Sequence, residues 1–387
     1  MIGDRHRILC VVGARPNFMK IAPILRALAQ HAPSIEAVLV HTGQHYDAAM
    51  NDPFFAQLRI RAPDVSLEVG SGSHAQQTSE IMLRFEPVVD EYEPDAVLVV
   101  GDVNSTIACA LVAAKKNVRV IHVEAGLRSR DRQMPEEINR LLTDQLSDRL
   151  YVTERDAITN LLIEGIDESR IVFVGNVMID TLLDSLSAAV PAQTTLSNNA
   201  GEDAKARERW SRIGVDGGFG LVTLHRPSNV DDAKTLEHLC TTLVEVSERL
   251  PLVFPLHPRT RQRVESAGLW PLLERGGILT TPPLGYLETV GLLRASRVVL
   301  TDSGGLQEEA TALGVPCLTL RDNTERPITI THGTNRLVGT DASAIRLGIE
   351  NALGARRESA SPPELWDGHA AVRIVKDLEA WMASPSP

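Results

Sequence analysis

Short apolar runs alternate along this chain with longer amphipathic stretches, and the alternation predicts its architecture. In the first half, strand-like runs fall at Arg7–Val12, Ala37–His41, Ala96–Val100, Val118–Val123, Arg149–Thr153 and Ile171–Val174, with helix-like segments between them. Strands that are apolar throughout, separated by helices, belong to a parallel sheet covered on both faces. The pattern breaks at Ser185–Arg207, SLSAAVPAQTTLSNNAGEDAKAR, whose Ser, Thr, Asn and Gly content reads as an exposed linker. It restarts at Gly220–Leu224, Leu252–Leu256, Val298–Thr301 and Pro316–Leu320, with helical segments such as Asp231–Leu250 between. The expectation is α/β: two doubly wound Rossmann-like domains, over 1–182 and 211–366, joined by a linker region at 183–210. Beyond a loop at Ser359–Pro363, the amphipathic stretch Gly368–Ala383 predicts a C-terminal helix within 367–387 that packs back toward the N-terminal domain. In such folds the loops at the carboxyl ends of the strands bind ligands, and two sheets facing a cleft suit a ligand with two chemically different ends.

A length of 387 residues agrees with two cores, and 43% hydrophobic with 23% charged residues is an ordinary globular balance. The 39 basic and 50 acidic residues leave a net charge of −11, which excludes a broad nucleic-acid or anionic-membrane footprint but not a local pocket for a small anion. No apolar run approaches a membrane span, and the charged start MIGDRHRILC lacks the pattern of a secretory signal, so the cytoplasm is expected. Cys10, Cys109, Cys240 and Cys317 stand singly in apolar surroundings and read as reduced core thiols. No strong zinc pattern occurs, and neither a metal nor a cofactor is expected.

The densest chemistry lies in Val120–Arg140, VIHVEAGLRSRDRQMPEEINR. An apolar strand delivers Glu124 to a loop with Arg128, Arg130 and Arg132, and Pro135 then opens a helix carrying Glu136 and Glu137. These groups read either as proton-transfer and anion-holding machinery or as an ion-pair network capping a helix. After the first strand, Gly13 permits a tight turn, Pro16 suits a helix start, and Arg15 with Lys20 lies where a phosphate binds well. The turn has neither the three glycines of a dinucleotide fingerprint nor the P-loop pattern, so NAD and ATP are poorly supported. Asp102 ends another strand, where it is either catalytic or part of a cap completed by Asn104 or Ser105. In the second half, strands deliver His225 beside Arg226, and His257 before Pro258; each histidine either moves protons or satisfies a loop. The stretch Asp302-Ser303-Gly304-Gly305-Leu306-Gln307-Glu308-Glu309 offers backbone N–H groups to a phosphate, with Glu309 further in as an acceptor for a ribose diol.

In order along the chain, GARPNFMK, GDVNST, HVEAGLRSR with MPEEINR, TLHRPSN, TDSGGLQEEA and NTERP resemble the non-hydrolysing UDP-N-acetylglucosamine 2-epimerases over about Ile8 to Arg336. The resemblance implies a glycosyltransferase-B type fold, UDP-N-acetylglucosamine and UDP as ligands, and a homodimer. It implies Asp102, Glu124, Glu136 and His225 as the catalytic group, with Arg15 and Lys20 near the sugar and its phosphates. Ser303, Gly304 and Gly305 would hold the diphosphate, Glu309 the ribose, and Arg326 would complete the pocket. Many bacterial members also bind a second UDP-N-acetylglucosamine as an activator, which would involve Gln44, His45, Arg226 and His257.

Departures from the family pattern are local. Asn17 stands where a Glu is frequent, His225-Arg226-Pro227-Ser228-Asn229 replaces HRxEN, and Tyr286-Leu287-Glu288-Thr289 lacks the usual aromatic in its last position. Ile328 replaces a Glu after the TERP stretch, and HPRT after Leu256 differs from the HxNP form associated with activation. A UDP-sugar glycosyltransferase of the same fold, a hydrolysing epimerase, a 2-epimerase for a 3-amino or uronic sugar, and a silent UDP-sugar sensor are the competing readings.

Overall fold

The apolar runs form two parallel sheets. The computed structural model describes residues 5–43, 57–202, 204–216, 218–354 and 362–383. In the first sheet the strands are β1 (His6–Val12), β2 (Ile35–His41), β3 (Val65–Ser66), β4 (Ala96–Val100), β5 (Arg119–Ala125), β6 (Arg149–Val152) and β7 (Ile171–Phe173), in the order β3-β2-β1-β4-β5-β6-β7. In the second they are β8 (Gly220–Thr223), β9 (Leu252–Pro255), β10 (Leu279–Thr281), β11 (Val298–Thr301), β12 (Cys317–Thr319) and β13 (Asn335–Leu337), in the order β10-β9-β8-β11-β12-β13. Both orders reverse direction beside the first strand of the sheet, β1 or β8. In doubly wound sheets that reversal opens a crevice at the carboxyl ends of the two strands flanking it. Gly13 and Asp102 follow β1 and β4, and His225 and Asp302 follow β8 and β11.

Every residue of β4 is buried, as a central strand covered on both faces requires. On one face, Leu9, Val11, Val97 and Val99 meet Ile81, Phe85, Cys109 and Ala113 from two helices, His74–Tyr92 and Asn104–Lys115. In the second unit the helix Ala233–Ser247 buries Leu236, Leu239, Leu243 and Val246 at helical spacing against Val222, Phe254 and Leu300. All four cysteines are free and buried, and burial pushes the thiols of Cys10, Cys240 and Cys317 up to about 12, so none is a ready nucleophile. Among the described residues no helix is long and apolar enough to cross a membrane.

The chain divides into one unit of residues 1–184 and 364–387 and another of residues 185–363. The helix Ala370–Met382 thus belongs to the first unit, where it buries Ile374, Val375 and Leu378. Its Asp377 lies 2.5 Å from Arg149 Nη2 and accepts from the Tyr151 hydroxyl at 2.8 Å. The Asp180 carboxylate accepts from the N–H groups of Ala370 and Ala371 at 3.1 and 2.7 Å, satisfying two donors that the start of the helix leaves open.

The exposed linker expected at Ser185–Arg207 is corrected by the structure. Helices Ala192–Asn199 and Ala204–Asp216 occupy most of it, and Ala192, Leu196 and Trp210 join Phe219, Leu221 and Leu292 in a core of the second unit. A few apolar anchors at helical spacing suffice to dock a polar helix, and average composition conceals them. β3, β10 and β13 also escaped the sequence reading, because Val-Ser, Leu-Thr-Thr and Asn-Arg-Leu are short and carry polar positions, so no apolar run marks them. If the 185–207 region is core-bound, Leu196→Ala destabilises the protein by about 2–5 kcal/mol, the usual range for emptying a buried leucine site, as read from urea unfolding. A linker leucine would show almost no change.

Candidate functional site

The turn after β1 is built on close approach. A Cβ at Gly13 would lie 2.1 Å from Ser105 Oγ, which itself sits 2.7 Å from Thr42 Oγ1. Asn17 closes the turn: its Oδ1 accepts from Ala14 N at 3.0 Å and its Nδ2 donates to the Val100 carbonyl at 2.9 Å, tying β1 to β4. Arg15 opens the helix Arg15–His31, but its side chain lies outside the described residues. Further along that helix Lys20 is buried, with Nζ 2.6 Å from Glu124 Oε2. The ammonium fits because position 101 is glycine: a Cβ there would stand 2.7 Å from it.

Glu124 lies within β5, where the register against β6 slips between Val123 and Ala125. Its φ is 73°, a left-handed backbone that costs a non-glycine residue roughly 1 kcal/mol or more and that collects at functional sites. Asp102 lies 2.5 Å from Arg140 Nη1, and its carbonyl accepts from Asn139 Nδ2 at 2.9 Å. The capping role considered for Asn104 and Ser105 is not observed. Val103 occupies the cap position, Asn104 donates to Gln77 Oε1 at 2.8 Å, and Ser105 meets Thr42.

The acid pair on the helix Pro135–Leu146 divides. Glu137 is buried and accepts from the N–H groups of Ser129 and Arg130 at 2.9 and 2.8 Å and from Arg140 Nη2 at 2.8 Å. Burial pushes its carboxyl up, but the Ser129 N–H and Arg140 outweigh burial and hold it below the usual range. Glu136 is half-buried in the first turn of the same helix. Of the three loop arginines, Arg128 is buried against Asp144 at 2.7 Å and Glu164 at 2.5 Å and so belongs to the ion-pair network. Within Val120–Arg140, Glu137 and Arg128 are scaffold, which leaves Glu124 and Glu136, with Asp102 outside the segment, as the candidates for proton transfer.

Two residues missed in the sequence reading are His122 and Asp144. His122 is inaccessible, with Nδ1 2.6 Å from Asp144 Oδ1 and Nε2 2.8 Å from the Gly101 carbonyl. Asp144 Oδ2 also accepts from Gly126 N at 3.1 Å. A signal for this network was present: Glu137, Arg140 and Asp144 occupy one face of their helix, a charged stripe where an apolar one is normal.

In the second unit His225 and Arg226 follow β8. His225 Nδ1 lies 2.9 Å from Asp302 Oδ1, and its imidazole centroid is 5.7 Å from that of His257. Asp302, fully buried, accepts from the N–H groups of His225 at 3.0 Å and Arg226 at 2.9 Å and from Asn229 Nδ2 at 3.1 Å. His257 Nδ1 accepts from Arg259 N at 3.3 Å and so caps its own helix, and Arg226 lies 3.7 Å from Glu325. Gln44 and His45 lie outside the described residues.

Ser303 precedes the helix Gly304–Ala312 at its cap position without a side-chain capping bond. Gly304 makes way for a carboxylate, since a Cβ there would be 2.6 Å from Glu325 Oε1; Gly305 is half-buried. Arg326, buried, pairs with Glu308 at 2.8 Å. Glu309 accepts from the Tyr286 hydroxyl at 2.9 Å, and burial pushes its carboxyl up to about 7. Tyr286 was read only as the start of a departing motif. Among the described residues no group of three His, Cys, Asp or Glu is placed to hold a metal ion.

Two parallel α/β units of this topology define a glycosyltransferase-B type protein. The family model for UDP-N-acetylglucosamine 2-epimerase matches residues 26–379. The UDP-N-acetylglucosamine 2-epimerase of Methanocaldococcus jannaschii is 39% identical over 375 residues, covering 96% of this chain and 98% of that protein. Its crystal structure with UDP-GlcNAc and UDP has a TM-score of 0.85 and covers 97% of this chain and 99% of that one. The UDP-2,3-diacetamido-2,3-dideoxy-D-glucuronate 2-epimerase of Pseudomonas aeruginosa is 42% identical over 351 residues, covering 90% of this chain and 92% of that protein. The chain belongs to the UDP-N-acetylglucosamine 2-epimerase family, of the non-hydrolysing type, and is an enzyme.

The raised carboxyl of Glu309 has a measurable consequence. Its folded value of about 7 exceeds the ordinary value of 4.5, so the fold favours the protonated form; stability from this group is full below the unfolded value and is lost as pH rises through about 7. Thermal unfolding of the ligand-free protein should show that decline between mildly acidic and neutral pH, and Glu309→Gln should flatten it. An unchanged pH slope in the variant rules out the assignment.

Proposed function

We propose that this protein interconverts UDP-N-acetylglucosamine and UDP-N-acetylmannosamine by eliminating UDP and adding it back. The observation that carries the reading is the buried Lys20–Glu124 pair, held at 2.6 Å on a strained strand end while Asp102 follows the neighbouring strand β4. The C2 hydrogen of the substrate is not next to a carbonyl, so a carboxylate cannot remove it directly. As the C1–O bond to UDP breaks, C1 gains oxocarbenium character and the adjacent C2–H becomes acidic. A carboxylate then takes the proton, the C–H electron pair forms the C1–C2 double bond, and UDP leaves with the C1–O pair, giving 2-acetamidoglucal. Proton return to the opposite face of C2 and re-addition of UDP at C1 complete the inversion.

In this reading Asp102, Glu124 and Glu136 supply the acid–base groups, and Lys20 keeps Glu124 ionised and oriented. Arg15, Ser303, Gly304 and Gly305 hold the diphosphate, Glu309 the ribose, and Arg326 the shape of that loop. His225 serves the departing UDP. A homodimer is proposed from the family resemblance. So is activation by a second UDP-N-acetylglucosamine through Gln44, His45, Arg226 and His257, with His257 in an HPRT rather than an HxNP setting.

A second reading is favoured by the 42% identity to the Pseudomonas relative: the substrate would carry an acetamido group at C3 and a carboxylate in place of the sugar hydroxymethyl group. The elimination is the same. Offering each nucleotide sugar alone and following product by NMR separates the readings.

With UDP-N-acetylglucosamine in deuterium oxide, the manno product should carry deuterium at C2, with traces of UDP and 2-acetamidoglucal after long incubation. A glycosyltransferase leaves C2 untouched, and a hydrolysing enzyme releases free N-acetylmannosamine. Glu124→Gln and Glu136→Gln should retain the fold and UDP affinity while turnover falls by roughly two orders of magnitude or more, the scale of a positioned acid or base. Wild-type turnover in both would return these residues to the ion-pair scaffold.

A further inference from the structure

The loops after β8 and β11 meet at a single buried carboxylate, that of Asp302. It gathers the N–H groups of His225 and Arg226, the Asn229 amide and the His225 imidazole, all within 3.1 Å. Asn229 in turn donates to the Leu320 carbonyl at 2.9 Å, and Asp302 N donates to the Thr223 carbonyl at 3.3 Å, so the residue is tied to both strands that flank β11, β12 and β8. Burial pushes the Asp302 carboxyl up, but the His225 imidazole and the two backbone N–H groups outweigh it and hold it below the usual range. Asp302 is fully buried, whereas the His225 side chain keeps 36% of its exposure. The ring is therefore anchored at Nδ1 while about a third of the side chain stays exposed.

We infer that Asp302 is a positioning residue for the epimerisation, orienting His225 so that Nδ1 carries the proton held by the carboxylate and Nε2 is the working nitrogen. The inference rests on the proposed role of His225. A carboxylate can only accept, so it fixes the Nδ1–H tautomer, and the hydrogen bond at one imidazole nitrogen decides what the other offers. With Nδ1–H fixed, a neutral ring presents an Nε2 lone pair and a protonated ring presents an Nε2–H to an anion such as departing UDP. Asp302 also immediately precedes Ser303 and Gly304. One carboxylate thus sets the histidine and the start of the proposed diphosphate loop in mutual register. The titratable groups against the ring are Asp302 from the β11 loop and His257 from the β9 loop, and Arg226 follows in sequence with its guanidinium 3.7 Å from Glu325.

Asp302→Asn tests this without changing shape. The amide oxygen can still accept from the backbone N–H groups, while its NH2 group toward Nδ1 favours the opposite tautomer. In the full-length variant, kcat should fall by about 10-fold or more, since losing the partner that orients an imidazole costs about 10- to 100-fold at a metal-bound histidine and more in a catalytic triad, while UDP affinity by calorimetry stays within a few-fold of wild type. Nitrogen-15 NMR of the imidazole at alkaline pH, assigned by comparison with His225→Gln, should find the proton on Nδ1 in the wild type and on Nε2 in Asp302→Asn. Wild-type kcat in Asp302→Asn, or loss of UDP affinity in step with kcat, overturns the inference. So does a wild-type ring protonated on Nε2, a measurement that stands even if the variant fails to fold. Wild-type turnover in His225→Gln would instead remove the role of His225 itself, an outcome distinguishable from all of these.

Discussion

His122 sits in the middle of β5 with Asp144 at 2.6 Å on one ring nitrogen and the Gly101 carbonyl at 2.8 Å on the other, and the arrangement of the first unit depends on that imidazole. Both nitrogens face acceptors in full burial. Through Gly101 the ring fixes the residue before Asp102, and through Asp144 it reaches the Gly126 N–H, two residues beyond Glu124. The two candidate acids are thus spaced by one buried hydrogen-bonded pair rather than by flexible loops. Removing the imidazole would leave the Asp144 oxygen and the Gly101 carbonyl that it now meets buried without that partner, a larger penalty than loss of an exposed contact.

The same carboxylate–imidazole device recurs at Asp302 and His225, with a different outcome. In the first unit both partners are inaccessible and the imidazole serves the backbone. In the second the carboxylate is inaccessible and the imidazole side chain stays partly exposed. A histidine near a strand end is therefore read best by what its second nitrogen meets. The glycines follow a similar logic, since Gly101 yields space to Lys20 and Gly304 to Glu325. Each permits a charged side chain to approach the backbone at a position where a β-carbon would exclude it.

Strands lying in apolar runs of four residues or more, the two-sheet organisation and the positions of Asp102, Glu124, His225 and Ser303 at strand ends were legible because burial on both faces demands unbroken apolar sequence. The helices at 192–216 were not, because Leu196 and Trp210 are sparse anchors in polar sequence. Nor was the division of labour within Val120–Arg140. Sequence order sets Glu136 and Glu137 side by side, but a helix turns them about 100° apart, given 3.6 residues per turn, and Glu137 is the one buried against Arg140 and the Ser129 N–H. Asp302 was visible as a residue but not as a partner, since its contacts span separations of more than seventy positions.

The helix Ala370–Met382 adds a constraint of timing. It completes the first unit, yet during synthesis it follows the whole of residues 185–363. Until it emerges, the hydroxyl of Tyr151 and the guanidinium of Arg149 lack Asp377, and the surface it will cover is open to water. The second unit can close its core on the ribosome; the first must wait in a nearly finished form. Truncations from the C-terminal side should therefore injure the half of the molecule made earliest.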